Sequence, residues 1–198
     1  MTNSETATIP NTEVTASLAT IMRELTATAE AIAELGTDDL AAIAKALDGA
    51  RRVFVLGAGR SGLALHMTAM RLMHLGLSVH VVGEVTAPAI GPGDVLVTAS
   101  GSGTTPAIIR GADAAANAGA SVVAITTAAD SPLAALATVV MVVPAAGKLD
   151  RSGSVSGQYA GSLFEQTVMV VGDALFHTLW LRSGQSADDL WPRHANLE

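Results

Sequence analysis

The chain is predicted to be an α/β protein: a doubly wound, five-stranded parallel sheet of order 2-1-3-4-5, preceded by an N-terminal helical hairpin. Two observations carry this. Short apolar runs alternate with longer helical segments from residue 52 onward, and glycine closes most of those segments. The strands are also nearly continuous in apolar character, as in sheets covered by helices on both faces and joined by right-handed crossovers.

From Glu13 to Leu35, Leu18, Ile21, Met22, Leu25, Ala29 and Ile32 recur at helical spacing until Gly36. Thr37 then reads as the N-cap of DDLAAIAKAL, whose two early acids suit a helix start, and Gly49 ends it. The five strand candidates are RVFVLG (52–57), LSVHVVG (77–83), DVLVTAS (94–100), ASVVAIT (120–126) and TVVMVV (138–143). Between them lie SGLALHMTAMRLMHLG, TPAIIRGADAAANAG and the short SPLAALA, with Ser131 as a cap. A polar loop, AAGKLDRSGSVSG (145–157), leads into a long helix from about Gln158 to Arg182. The tail after it is polar and broken by Pro192.

Composition narrows the function. The chain has 198 residues, 49% of them hydrophobic, enough for one substantial core. It has no cysteine, which removes disulfides, thiolate zinc sites and cysteine nucleophiles. A net charge of −7 and 3% aromatic residues leave neither a basic stripe nor stacking platforms, so nucleic acid is not an expected partner. The apolar run from Val168 to Leu181 is broken by Gly172, Asp173 and His177, and the N-terminus lacks the charged start and apolar centre of a secretory leader. The expectation is a cytoplasmic protein without a membrane span.

The most informative stretch is VLVTASGSGTT (95–105), an apolar strand ending in hydroxyls and glycines. Ser100, Ser102, Thr104 and Thr105 offer O–H donors. Gly101 and Gly103 let the backbone turn so that its N–H groups face one concavity, and a helix starting at Thr105 or Pro106 adds partial positive charge there. The first strand ends in a similar loop, GAGRSG (57–62), with Ser61. In the proposed order the first and third strands flank the point where the order reverses, where open parallel sheets bind ligands. The convergence points to a phosphate group. Each loop alone is also what a tight strand-to-helix turn needs, and GAGRSG resembles a dinucleotide fingerprint, although that reading leaves SGSGTT unexplained.

Glu165 is the candidate base. Gly157, Gly161 and Glu165 at intervals of four would stack two bare turns beneath one carboxylate, and the flanking Phe164 and Val168 would desolvate it. The alternative is a helix-edge carboxylate satisfied by arginine or water. His66, His74, His80 and His177 read as packed or surface residues. His194 lies beside Arg193 and Asn196 in the tail, which is either functional or a frayed terminus. No His/Asp/Glu grouping has metal-ligand spacing, so no metal is expected.

GAGRSG, MRLMHLG (70–76), SGSGTT, QYAGSLFEQ (158–166) and RHANLE (193–198) together resemble the 6-phospho-3-hexuloisomerases, a family of the sugar isomerase (SIS) domain superfamily with a flavodoxin-like fold. The resemblance implies a cofactor-free isomerisation of D-arabino-hex-3-ulose 6-phosphate to D-fructose 6-phosphate in the ribulose monophosphate route of formaldehyde fixation. It also implies a homotetramer built as a dimer of dimers, and coupling to a hexulose-phosphate synthase. By the same likeness Ser61, Ser100, Ser102 and Thr105 would bind substrate, chiefly its phosphate, and Glu165 would accept the proton. His194, reaching into a neighbouring subunit's crevice, would serve ring opening or steady the enediolate. Many members carry SGSGET where this chain has Thr104, which bears on how the loop is tuned.

Two other functions stay open on the residues alone: a non-catalytic sugar-phosphate sensor, and another phosphosugar isomerase. The short acidic N-terminal segment offers no room or charge for the DNA-binding domain such sensors carry. The expected organisation is 1–50 as helices packing on the core, 51–185 as the isomerase domain, and 186–198 as a tail contributing to a neighbouring site.

Overall fold

The structure is a computed structural model and describes residues 11–197. Residues 1–10, on which the reading of the leader rests, and Glu198 at the end of RHANLE lie outside the described residues. In chain order the elements are α1 (Asn11–Leu35), α2 (Thr37–Asp48), β1 (Arg52–Gly57), α3 (Gly59–Leu75), β2 (Val79–Val81), β3 (Asp94–Ala99) and α4 (Pro106–Asn117). β4 (Ser121–Thr126), α5 (Pro132–Leu136), β5 (Val139–Val142), α6 (Ser162–Ser183), α7 (Ala187–Leu190) and a 3-10 turn at Trp191–Arg193 follow.

The sheet is all parallel with order β2-β1-β3-β4-β5, as the sequence predicts. Alternate residues of each strand face opposite layers. On one face Val53, Val55, Val95 and Val97 meet Leu65 and Leu72 of α3, Leu47 of α2 and Val168 and Leu175 of α6. On the other, Phe54, Leu96 and Val122 meet Ile108 of α4 and Leu133 of α5. Helices α3 and α6 approach closely because Gly172 has no side chain; a Cβ there would overlap the Thr68 hydroxyl.

At the N-terminal ends of β1 and β3, the buried Asp94 carboxylate accepts two hydrogen bonds from each of Arg51 and Arg52, at 2.7–3.1 Å, and one from the Gly91 N–H. The two guanidinium groups hold its carboxyl far below the ordinary carboxylate range. This lock stands at the opposite end of the sheet from the ligand crevice and serves the fold.

Four local expectations are corrected. β2 spans only Val79–Val81 rather than 77–83, because the chain turns at Gly83 (φ +100°) with Glu84 N–H bonded to the Val81 carbonyl. Thr37 is the first helical residue of α2, not its cap; its hydroxyl donates back to the Ala33 carbonyl, and Gly36 takes the capping position. α6 starts at Ser162 rather than near Gln158, because Ala160 adopts a positive φ of 51° and the preceding segment is tied to α1. The tail is not wholly irregular: Ser186 and Asp189 form a capping box that starts α7.

Candidate active site

Three helices point their N-termini into one cleft beyond the carboxyl ends of β1 and β3. α3 begins after Ala58, α4 after Thr105 and α6 after Gly161, and none of the three has a side-chain cap. By contrast α5 and α7 are capped by Ser131 and Ser186. Uncapped N-termini leave backbone N–H groups and partial positive charge directed at the same space, which suits an anion. The cleft encloses about 440 Å³, room for a phosphorylated sugar.

Each turn into these helices has a local cause. Gly57 at the end of β1 and Gly62 in α3 lie back to back; a Cβ on Gly57 would stand 2.8 Å from the Gly62 backbone, so strand and helix meet only without side chains. Gly59 takes φ +58° between them. This tight turn places Arg60 and Ser61 on the cleft wall.

In the second loop the donors are divided. Ser100 N–H bonds the Ile125 carbonyl, and Gly103 N–H bonds the Ser100 carbonyl. Not every N–H of this loop therefore faces one concavity, and the donors left for a ligand are those of Gly101, Ser102 and Thr105. Gly101's carbonyl accepts from the hydroxyls of Thr126 and Thr127 at 3.1 and 2.8 Å, fixing the loop to β4. Ser100 and Thr105 share a hydroxyl hydrogen bond of 2.9 Å.

Of the residues expected to bind substrate, Ser61, Ser100, Gly101, Ser102 and Thr105 line the cleft; Gly103 and Thr104 do not. Gly103 (φ +61°) packs against Ser131 of α5, where a Cβ would collide. Thr104 stands behind Ser102, donating to its oxygen from both Oγ1 at 2.9 Å and N–H at 3.3 Å. A serine oxygen that accepts twice has its own proton free for a ligand. The position that differs from SGSGET thus orients Ser102.

Glu165 lies in the first turn of α6, at the cleft. The glycine stripe proposed beneath it does not form: Gly157 is in the preceding loop, where its N–H bonds Glu24 Oε1 at 2.8 Å, and Gly161 is the cap position of α6. Glu165 is also not enclosed by apolar groups. Its Oε2 accepts from Arg60 Nε at 2.6 Å, and the helix N-terminus adds to the positive surroundings. Phe164, beside it, is turned into the core and touches the Gly101 side of the loop.

Sequence reading missed Arg60, Lys148 and Tyr159, all on the cleft wall, and Glu24 behind it. Arg60 sits inside GAGRSG, a motif read for its glycines and Ser61. Lys148 is one of two lysines in the chain, yet a loop residue carries no periodic signal. Glu24 of α1 binds Ser156 Oγ at 2.7 Å, Gly157 N–H at 2.8 Å and Gln158 Nε2 at 3.1 Å. These bonds, Ser156's first, hold its carboxyl below the ordinary glutamate range. The first helix thereby pins the loop that carries Tyr159 over the cleft.

His194 is not in this cleft. Its ring stacks on His74 at 3.9 Å, at the far end of α3. Ser61 and His74 are separated by thirteen residues of helix, about 20 Å at 1.5 Å per residue. Among the described residues no three His, Asp or Glu side chains form a cluster able to hold a metal ion, and no helix is long and apolar enough to cross a membrane.

The SIS domain family profile matches residues 46–170. A 3-hexulose-6-phosphate isomerase of Mycobacterium gastri is 50% identical over 94% of this chain and 92% of its own. The chain belongs to the SIS domain family. A 3-hexulose-6-phosphate isomerase of Bacillus subtilis is 36% identical over 91% of this chain and 97% of its own. A crystal structure from Methanococcus jannaschii, from which a 3-hexulose-6-phosphate isomerase function was inferred, is similar with a TM-score of 0.78, 25% identity, and coverage of 92% and 99%. The SIS match spans both hydroxyl loops and Glu165; α1 and the tail with His194 lie outside it.

Proposed function

We propose that the chain interconverts D-arabino-hex-3-ulose 6-phosphate and D-fructose 6-phosphate without a cofactor, in the ribulose monophosphate route, with Glu165 as the base. The observation that carries this reading is one carboxylate, at the start of α6, in a cleft that also holds the hydroxyls of the two loops and the uncapped N-termini of α3 and α4. The phosphate end of a substrate fits the hydroxyl wall, which leaves the carbon chain toward Glu165. Relatives named 3-hexulose-6-phosphate isomerase along nearly the whole chain support the same substrate.

The reaction moves a ketone from C3 to C2. Glu165 takes the proton from C2, the C–H electrons form the C2–C3 double bond, and the C3 carbonyl oxygen becomes an oxyanion. O2 then passes its proton to the O3 oxyanion, its electrons form the C2 carbonyl, and the C2–C3 double bond takes the proton back from Glu165 at C3, leaving Glu165 ionised as at the start. Both carbons present their protons on one face of a cis-enediolate, so one carboxylate serves both. Arg60 gives one N–H to Glu165, and its remaining N–H groups suit the developing oxyanion. Arg60 and Lys148 add positive charge for the substrate dianion.

The 3-ketose with O6 blocked closes only four-membered rings, through O1 or O5, and reacts in its open form. Fructose 6-phosphate is mostly a furanose, so the reverse direction needs ring opening. His194 is our candidate for that step, acting in the cleft of a neighbouring subunit; its distance from its own cleft supports that reading. A dimer of dimers is therefore part of this reading. Leu63, Met67 and Met70 of α3 support it: they form an exposed apolar stripe at helical spacing that starts beside Arg60 at the cleft mouth. Val14, Leu18 and Met22 of α1 form a second such stripe.

The test is a coupled assay. Formaldehyde, ribulose 5-phosphate and a hexulose-phosphate synthase supply the 3-ketose, and fructose 6-phosphate is the expected product. Absence of product with an active synthase would overturn the reading.

A further inference from the structure

His74 ends α3 with its ring buried, only 4% exposed, and its Nδ1 has no hydrogen-bond partner. A leucine or phenylalanine would fill that space without burying an unpaired nitrogen, so packing alone does not explain an imidazole there. The structure places its use in the tail. The exposed His194 ring lies on the His74 ring, centroids 3.9 Å apart and planes 25° from parallel, with Trp191 at 4.8 Å closing another side.

The backbone that carries His194 is fixed beside this stack. Arg193 Nη1 donates to the His74 carbonyl, the Gln185 side-chain oxygen and the Asp189 carbonyl, each at 3.2 Å. Its guanidinium lies over Gly76, the left-handed residue that ends α3, where a Cβ would come within 3.3 Å. A polar tail without such contacts would fray. Here it is an arm with a set direction.

We infer that His74 is a positioning residue for His194, the buried ring serving as the platform that fixes the plane and direction of the tail imidazole. The inference rests on the reading of His194 as the ring-opening group for a neighbouring cleft. The charges around the stack agree with the division of labour. Burial first, then His194 and Arg71, push the His74 pKa below the usual histidine value, and Arg193 of the tail adds a further cation nearby. The lowered pKa favours the neutral form of His74, so the platform beneath the tail imidazole is an uncharged aromatic face.

The experiment compares turnover of fructose 6-phosphate for the wild type, His194→Ala, His74→Leu, His74→Phe and the His74→Leu/His194→Ala pair. Ring NMR signals of His194 are followed in the same proteins, except those lacking it. His74→Leu keeps the volume and removes the ring; His74→Phe keeps a stacking face. We expect His194→Ala to lower kcat about 100-fold and His74→Leu roughly tenfold, with KM little changed. His74→Phe should recover kcat to within about threefold of the wild type, and the double variant should match His194→Ala, as for two residues acting as one unit. The His194 ring signals should be displaced by stacking in the wild type and His74→Phe, and not in His74→Leu. Normal turnover by His194→Ala overturns the reading of His194 itself. Impaired His194→Ala with normal His74→Leu, or His194 signals identical in the two proteins, overturns the inference alone.

Discussion

Arg60 Nε donates to Glu165 Oε2 across 2.6 Å, joining the first turn of α3 to the first turn of α6 at the mouth of the cleft. Both residues come from uncapped helix starts, and the pair is held from two sides: by the Gly57–Gly62 contact beneath α3 and by the α3–α6 packing at Gly172. The base of the proposed reaction is therefore aimed by the fold.

Arg60→Gln removes one of two cationic side chains from a cleft meant for a dianion and frees Glu165 from its partner. Loss of hydrogen bonds to a charged group, about 1.5–3 kcal/mol, predicts a fall in kcat/KM of roughly 10- to 100-fold, read by steady-state kinetics. Arg60→Lys should recover only part of it, since a lysine lacks the planar fork that spans carboxylate and oxyanion. Wild-type kinetics in Arg60→Gln would remove Arg60 from the site.

Ser102→Ala and Thr104→Ala should act on the same contact at different strength. Ser102→Ala deletes a proposed donor to the phosphate and should raise KM roughly tenfold or more. Thr104→Ala deletes only the Oγ1 bond to Ser102 and leaves the N–H bond in place, so the expected rise is smaller and should vanish when Ser102 is already alanine. Additive losses in the double variant would show that Thr104 acts on its own.

The Asp94 lock predicts a pH dependence of stability. Its folded pKa lies well below the unfolded value of about 3.9. Its contribution is thus present above about pH 4 and is lost as pH falls below it, toward the folded value. Asp94→Asn should cost about 1.5–3 kcal/mol at neutral pH. That is below the 3–5 kcal/mol typical of a fully buried pair, because the Arg51 side chain is 58% exposed and can turn to water. Thermal melts from pH 7 to pH 2 should show the gap between the two proteins closing in acid; a constant gap would contradict the assignment.

The elements that the sequence made legible are those with periodic patterns or loop chemistry. β1, β3 and β4 read correctly to within a residue because buried strands are apolar throughout, and the two hydroxyl loops stand at one cleft because the strand order that alternation suggests puts β1 beside β3. Glu165 was found by a pattern that the structure does not contain. Its neighbours Gly157 and Gly161 serve a loop and a cap, since Ala160 interrupts the helix with a positive φ that no periodicity reveals. Arg60, Lys148 and Glu24 escaped because their roles come from tertiary contacts; Glu24 meets its partners more than 130 positions along the chain. The tail read as polar and irregular because the Arg193 clamp and the His74 stack join segments more than a hundred residues apart.

The most direct test of the account is the turnover of Glu165→Gln in the coupled assay, with substrate affinity measured alongside. If Glu165 moves the proton between C2 and C3, kcat should fall by about 100-fold or more while binding of the sugar phosphate persists on the hydroxyl loops. Turnover at the wild-type rate would contradict the account, since no other carboxylate lines the cleft among the described residues.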